Sequence, residues 1–98
     1  MSDFKEVGND TIHKDGWGIR FHGRETCEYF EGDRQVSFTF YYGGKKNPWS
    51  FVPEQAGKWD HPHDGETMSA DKFKEIKERL ALYLAHLGKF DPFVIEDY

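Results

Sequence analysis

One stretch of this chain has the periodicity of a helix, and every other patterned stretch repeats at two residues. Phe73, Ile76, Leu80, Leu84 and Leu87 recur every three or four positions, with Tyr83 beside them, which places one apolar stripe on a helix over about 69–87. Ser69 can cap the free N–H groups of its first turn, and Asp71 sits at the positive end of the dipole. Met68 and Phe73 have the spacing of a hydrophobic staple, and Gly88 suits the left-handed residue that ends a helix. Lys74, Lys77, Glu78 and Arg79 are expected on the opposite side, with Glu75 and Arg79 forming an i,i+4 ion pair. A lone amphipathic helix must bury its stripe against something else, and the rest of the chain offers strands.

Trp17, Ile19 and Phe21 alternate with Gly18, Arg20 and His22, the pattern of a half-buried strand. Gly23-Arg24 suits a tight hairpin turn, so Glu25 to Phe30 returns antiparallel, and Glu31-Gly32-Asp33 makes the next turn. Over 34–42, Val36, Phe38, Phe40 and Tyr42 define a core face, and Gln35, Ser37, Thr39 and Tyr41 a wet one. A Gly-, Lys- and Pro-rich break at 43–48 precedes a short strand, Trp49 to Val52, ended by Pro53. Phe93-Val94-Ile95 reads as a closing edge strand. The expected fold class is α+β, a single domain over 1–98. A mainly antiparallel sheet, formed by an N-terminal meander plus the C-terminal strand, packs against one long C-terminal helix.

Aromatic residues make up 17% of the 98, so the core is expected to be built from rings. No apolar run approaches the length of a membrane span. The formal net charge of -5 disfavours nucleic acid as a partner, because affinity for phosphate backbones needs dense Lys and Arg. Residues 1–33 hold eight carboxylates against four cations, so the acidic excess lies at the front. A single cysteine, Cys27, can form no intramolecular disulfide, and the first residues lack the apolar run of a secretory signal. The expected location is the cytoplasm.

The densest polar cluster is Trp59-Asp60-His61-Pro62-His63-Asp64-Gly65-Glu66. Pro62 favours an extended His61, and alternation along an extended chain lets His61 and His63 face the same way, as a metal pair or as a general acid and base. A zinc centre needs a third ligand, and none stands at a diagnostic spacing, so the expected metal and cofactor complement is none. Gly43-Gly44-Lys45-Lys46 lacks the spacing of a phosphate-binding loop. Cys27 reads as a small strand residue rather than a nucleophile.

The acidic series Glu25, Glu28, Glu31 and Asp33 lies on one strand and its turn. In a regular strand Glu25 and Glu31 share a face with Cys27 and Tyr29, while Glu28 shares the other with Thr26 and Phe30. Such charges protect a sheet from edge-to-edge association, and they also steer a basic partner. Tyr41 and Tyr42 are the kind of rigid ring that anchors an interface.

Taken together, Trp59-x-x-Pro62-His63, Ser69 opening a helix, the Ile76/Leu80/Leu84 stripe, Gly88 and a closing apolar strand resemble a family of small bacterial immunity proteins of polymorphic-toxin and contact-dependent inhibition systems. The meander before them, with Gly18-Ile19-Arg20-Phe21 and Glu31-Gly32-Asp33-Arg34, is similar in layout. The resemblance spans residues 15–96. It implies a non-catalytic inhibitor that covers the working surface of a cognate toxin domain; the acidic charge makes a basic domain the expected partner, and the chain is expected to be a monomer or weak dimer. The candidate partner-binding residues are Glu25, Glu28, Glu31, Asp33 and Tyr41. Two other classes compete with it: a small hydrolase using His61 and His63, and a self-associating structural module.

Overall fold

A computed structural model describes residues 3–22, 25–44, 47–55, 58–88, 90 and 92–96. Its seven strands are β1 (Phe4–Val7), β2 (Asp10–His13), β3 (Trp17–His22), β4 (Thr26–Glu31), β5 (Arg34–Tyr41), β6 (Trp49–Pro53) and β7 (Phe93–Ile95). They form one sheet in simple sequence order. β1 to β6 are antiparallel to their neighbours. Helix α1 (Ala70–Leu87) then carries the chain across, and β7 pairs parallel to β6.

The fold class is α+β, with two strands more than the alternation predicts. β1 and β2 precede the expected meander and are joined at Gly8-Asn9, with Val7 opposite Asp10. Gly8 has φ +63°, open to glycine but costly for a side chain. The β4–β5 turn is shorter than expected, because Glu31 pairs with Arg34 and leaves only Gly32 and Asp33 between them. The predicted turn at Gly23-Arg24 and the lysines Lys45 and Lys46 lie outside the described residues.

Registers and pleat sort the strand residues onto two faces. One carries Trp17, Ile19, Cys27, Tyr29, Val36, Phe38, Phe40 and Phe51, which form a single buried cluster with Phe73, Ile76, Leu80, Tyr83 and Leu84 of α1. Rings fill it: Phe21 stacks on Phe90 with centroids 5.5 Å apart, and Tyr83 lies 5.8 Å from Phe4 and 6.0 Å from Phe21. The helix boundaries follow the sequence signals. Ser69 accepts a hydrogen bond from Lys72 N, and Gly88 has φ 74° with its N–H donating to the Leu84 carbonyl.

Two side chains depart from expectation. Tyr42, assigned to the core face, lies past the end of β5, is two-thirds exposed and rests against Trp49 at 4.9 Å. Arg79, assigned to the solvent side, turns back from the helix flank. Its Nη1 donates to the Tyr29 hydroxyl at 2.7 Å, and its guanidinium lies over the Trp17 ring at 5.5 Å. A long side chain on the flank of a stripe can follow the helix down to the sheet while its charge stays near solvent.

Candidate functional site

The face of the sheet opposite the core cluster has no described helix or strand over it. Its central rung runs Asp10, Arg20, Glu28 and Ser37 across β2 to β5. Arg20 meets Asp10 in a two-point contact, Nε to Oδ1 at 2.5 Å and Nη2 to Oδ2 at 2.8 Å. This bond holds the Asp10 carboxyl below its ordinary titration range. The same guanidinium lies 5.1 Å from the centre of the Phe30 ring. Glu28 pairs with His22 and is only 13% exposed.

Phe30 occupies the next rung, opposite Gly18. A Cβ on Gly18 would stand 2.5 Å from Phe30 Cζ and 2.7 Å from the Thr11 carbonyl oxygen, so the missing side chain is what lets the ring lie down on the sheet. Toward β6 and β7 the face becomes apolar. Tyr41, Ser50 and Val94 share a rung, with Tyr41 56% and Val94 39% exposed. A partner here would meet the paired guanidinium of Arg20, the half-buried ring of Phe30 and the exposed ring of Tyr41.

The acidic series is dispersed. Glu28 and Tyr41 lie on the open face. Glu25 is exposed just before β4, level with Phe40 through the bond from Phe40 N to its carbonyl. Glu31 points to the helix side, where it accepts from the Tyr29 hydroxyl at 2.7 Å and from Lys72 Nζ at 3.3 Å. Burial, followed by this bond to Glu31, pushes the Tyr29 hydroxyl well above the ordinary range. Asp33 stands at the hairpin tip, near Arg34 at 3.6 Å and His63 at 3.3 Å.

The two candidate histidines also differ in their surroundings. The 60–63 segment is a turn closed by His63 N to the Asp60 carbonyl, with a cis His61–Pro62 peptide, rather than the extended chain that Pro62 suggests. His61 is 88% exposed and 3.8 Å from Asp64. His63 is 20% exposed; its Nδ1 contacts Glu66 at 2.6 Å, and Glu66 in turn accepts from Arg34 Nε at 2.9 Å. Arg34 first and His63 second hold Glu66 below the ordinary carboxylate range. Among the described residues, no three His, Cys, Asp or Glu side chains are grouped to hold a metal ion.

Glu54 N and Asp60 N donate to the Ser37 and Gln35 carbonyls, covering the part of β5 that β6 leaves unpaired. Asp60 Oδ2 also accepts from Ser37 Oγ at 2.6 Å. Cys27 is fully buried, and desolvation pushes its thiol up to about 12, so it is not a nucleophile at neutral pH. A cavity of about 410 Å³ beside the β1–β2 hairpin is lined by Phe4, Val7, Ile12 and His13. Three charged residues, Asp3, Lys5 and Lys14, also line it, and Asp3 pairs with Lys14 at 3.4 Å.

Asp10, Arg20 and Phe30 were not singled out by sequence as one site. Their grouping depends on the β2–β3–β4 register, and β2 itself carries little strand signal. No helix of the described residues is long and apolar enough to cross a membrane. No family model, curated protein or solved structure matches this chain.

Proposed function

We propose that this chain is a non-catalytic binding protein of the immunity type, acting in the cytoplasm to occupy and neutralise a cognate toxin domain. The observation that carries the reading is the open face. One side of the sheet is filled by rings and α1, while the other presents Arg20 held rigidly by Asp10, Phe30 beneath it and Tyr41 further along. Rigid aromatic and arginine side chains lose little conformational freedom on binding and dominate the energetics of protein interfaces. The resemblance to immunity proteins supplies the class of partner, and the net charge of -5 favours one that is basic. Glu28 and Tyr41 belong to this surface. Glu25 and Asp33 extend it at the two ends of β4, and Glu31 acts indirectly by fixing α1 to the sheet.

An immunity gene is expected immediately downstream of its toxin gene, so the natural probe is the C-terminal domain encoded just upstream. Co-expression of this chain is expected to restore growth to cells producing that domain and to yield a stoichiometric complex on gel filtration. Growth arrest unrelieved by the co-expressed, folded chain, together with no complex, would contradict the proposal.

A further inference from the structure

The two edges of the sheet differ in how they would meet a second copy of themselves. An antiparallel pair of identical edge strands has its two-fold axis perpendicular to the sheet, so opposed residues lie on the same face and the register centres on one residue. On β1 the central registers place Lys5 opposite Lys5 of the second copy, or Glu6 opposite Glu6. Like charges directly opposed are unfavourable, so this edge discourages self-pairing.

On β7 the central register opposes Val94 to Val94 and Phe93 to Ile95, all apolar. The backbone agrees with it. Trp49 N donates to the Pro92 carbonyl and Glu96 N donates to the Phe51 carbonyl, so residues 92, 94 and 96 turn their polar groups toward β6. Phe93 and Ile95 therefore direct their N–H and C=O groups outward, and in this register each faces the other's counterpart. The hydrogen-bonded pairs would be Phe93 with Ile95 on both sides of the axis, flanking a close Val94–Val94 contact. On the helix side, a cavity of about 220 Å³ lined by Leu84, Ala85 and Gly88 opens beside Phe93, the residue that the second copy's Ile95 would face. Glu96 would lie opposite Pro92.

We infer that β7 is a self-association edge, through which two copies join antiparallel about Val94 into one continuous sheet. This inference is independent of the toxin-binding reading. A three-residue edge buries less than the roughly 1,200 Å² of a stable interface, so the dimer is weak and concentration-dependent.

The test combines sedimentation equilibrium with cross-linking. Wild-type mass is expected to rise toward that of a dimer over a series reaching about 1 mM, while Val94→Lys, with its side chain on the exposed face, stays monomeric with an unchanged melting temperature. In a non-hydrogen-bonded pair the Cα atoms stand about 4.5 Å apart, within disulfide reach. Oxidised Val94→Cys is therefore expected to form a covalent dimer at least about tenfold faster than the β1-edge control Val7→Cys. The buried Cys27 does not compete. A wild type monomeric throughout the series, or Val94→Cys cross-linking no faster than Val7→Cys, would overturn the inference. The cross-linking arm decides it if Val94→Lys fails to fold.

Discussion

The two faces of this sheet are built from alternate residues of the same strands, yet they solve different problems. The helix-side face buries Trp17, Ile19, Tyr29, Phe38 and Phe51 almost completely. Each such side chain contributes about 1.5–3 kcal/mol relative to exposure. The open face spends its positions on part-buried cross-strand pairs such as Asp10–Arg20 and His22–Glu28, and a surface ion pair contributes only about 0–1 kcal/mol. The comparison teaches a division of labour: stability resides on one side, and the other is free to be shaped for recognition. On the covered side Arg79, Tyr29, Glu31 and Lys72 are joined in one bonded network.

The largest test of that division is Leu80→Ala, which removes a fully buried side chain between α1 and the sheet. Denaturant unfolding is expected to show a loss of about 2–5 kcal/mol; a loss below about 1 kcal/mol would mean that the covered face does not dominate stability. Gly18→Ala sharpens the boundary between the faces. Its Cβ would crowd both the Phe30 ring and the Thr11 backbone, with an expected cost of about 1–3 kcal/mol. A neutral result would break the argument that Phe30 is laid down by the glycine.

Arg20→Gln is expected to cost at most about 1 kcal/mol of stability. It should raise the Asp10 pKa, read by NMR titration, because the guanidinium is what lowers it. The smallest effect is the pH dependence. Asp10, Glu66 and Glu75 all titrate lower in the folded chain, held by Arg20, Arg34 and Lys72 respectively. A carboxyl depressed in the folded state stabilises above its unfolded pKa and loses that contribution as the pH falls. The melting temperature is therefore expected to fall as the pH is lowered through the carboxylate range. A melting temperature that rises there would contradict the ion-pair assignments.

Much of the fold was legible because its signals are local. Ser69, Gly88 and the three-four spacing fix α1 without reference to the rest of the chain, and the β5 alternation does the same for Val36, Phe38 and Phe40. β1 and β2 were not legible from alternation, since four-residue strands with Lys5, Glu6 and Val7 exposed have little contrast between faces. The turn Val7-Gly8-Asn9-Asp10 was the available signal, because Gly-Asn between two short strands favours a two-residue hairpin. The site was less legible still. Arg20 meets Asp10 ten residues away and Arg79 meets Tyr29 fifty residues away, and periodicity carries no information about such pairs. The extended conformation expected around Pro62 failed because the segment closes into a turn, from His63 N to the Asp60 carbonyl.

The central claim, that the open face recognises a protein while the covered face holds the fold, is tested most directly by calorimetric titration. The titrant is the C-terminal domain encoded immediately upstream, and the comparison is wild type against the double variant Arg20→Gln/Tyr41→Ser. The account predicts a melting temperature lowered by no more than about 8 °C with affinity weakened at least about a hundredfold, the loss of two interface anchors of about 1.4 kcal/mol each. An affinity equal to wild type in a folded double variant would contradict it.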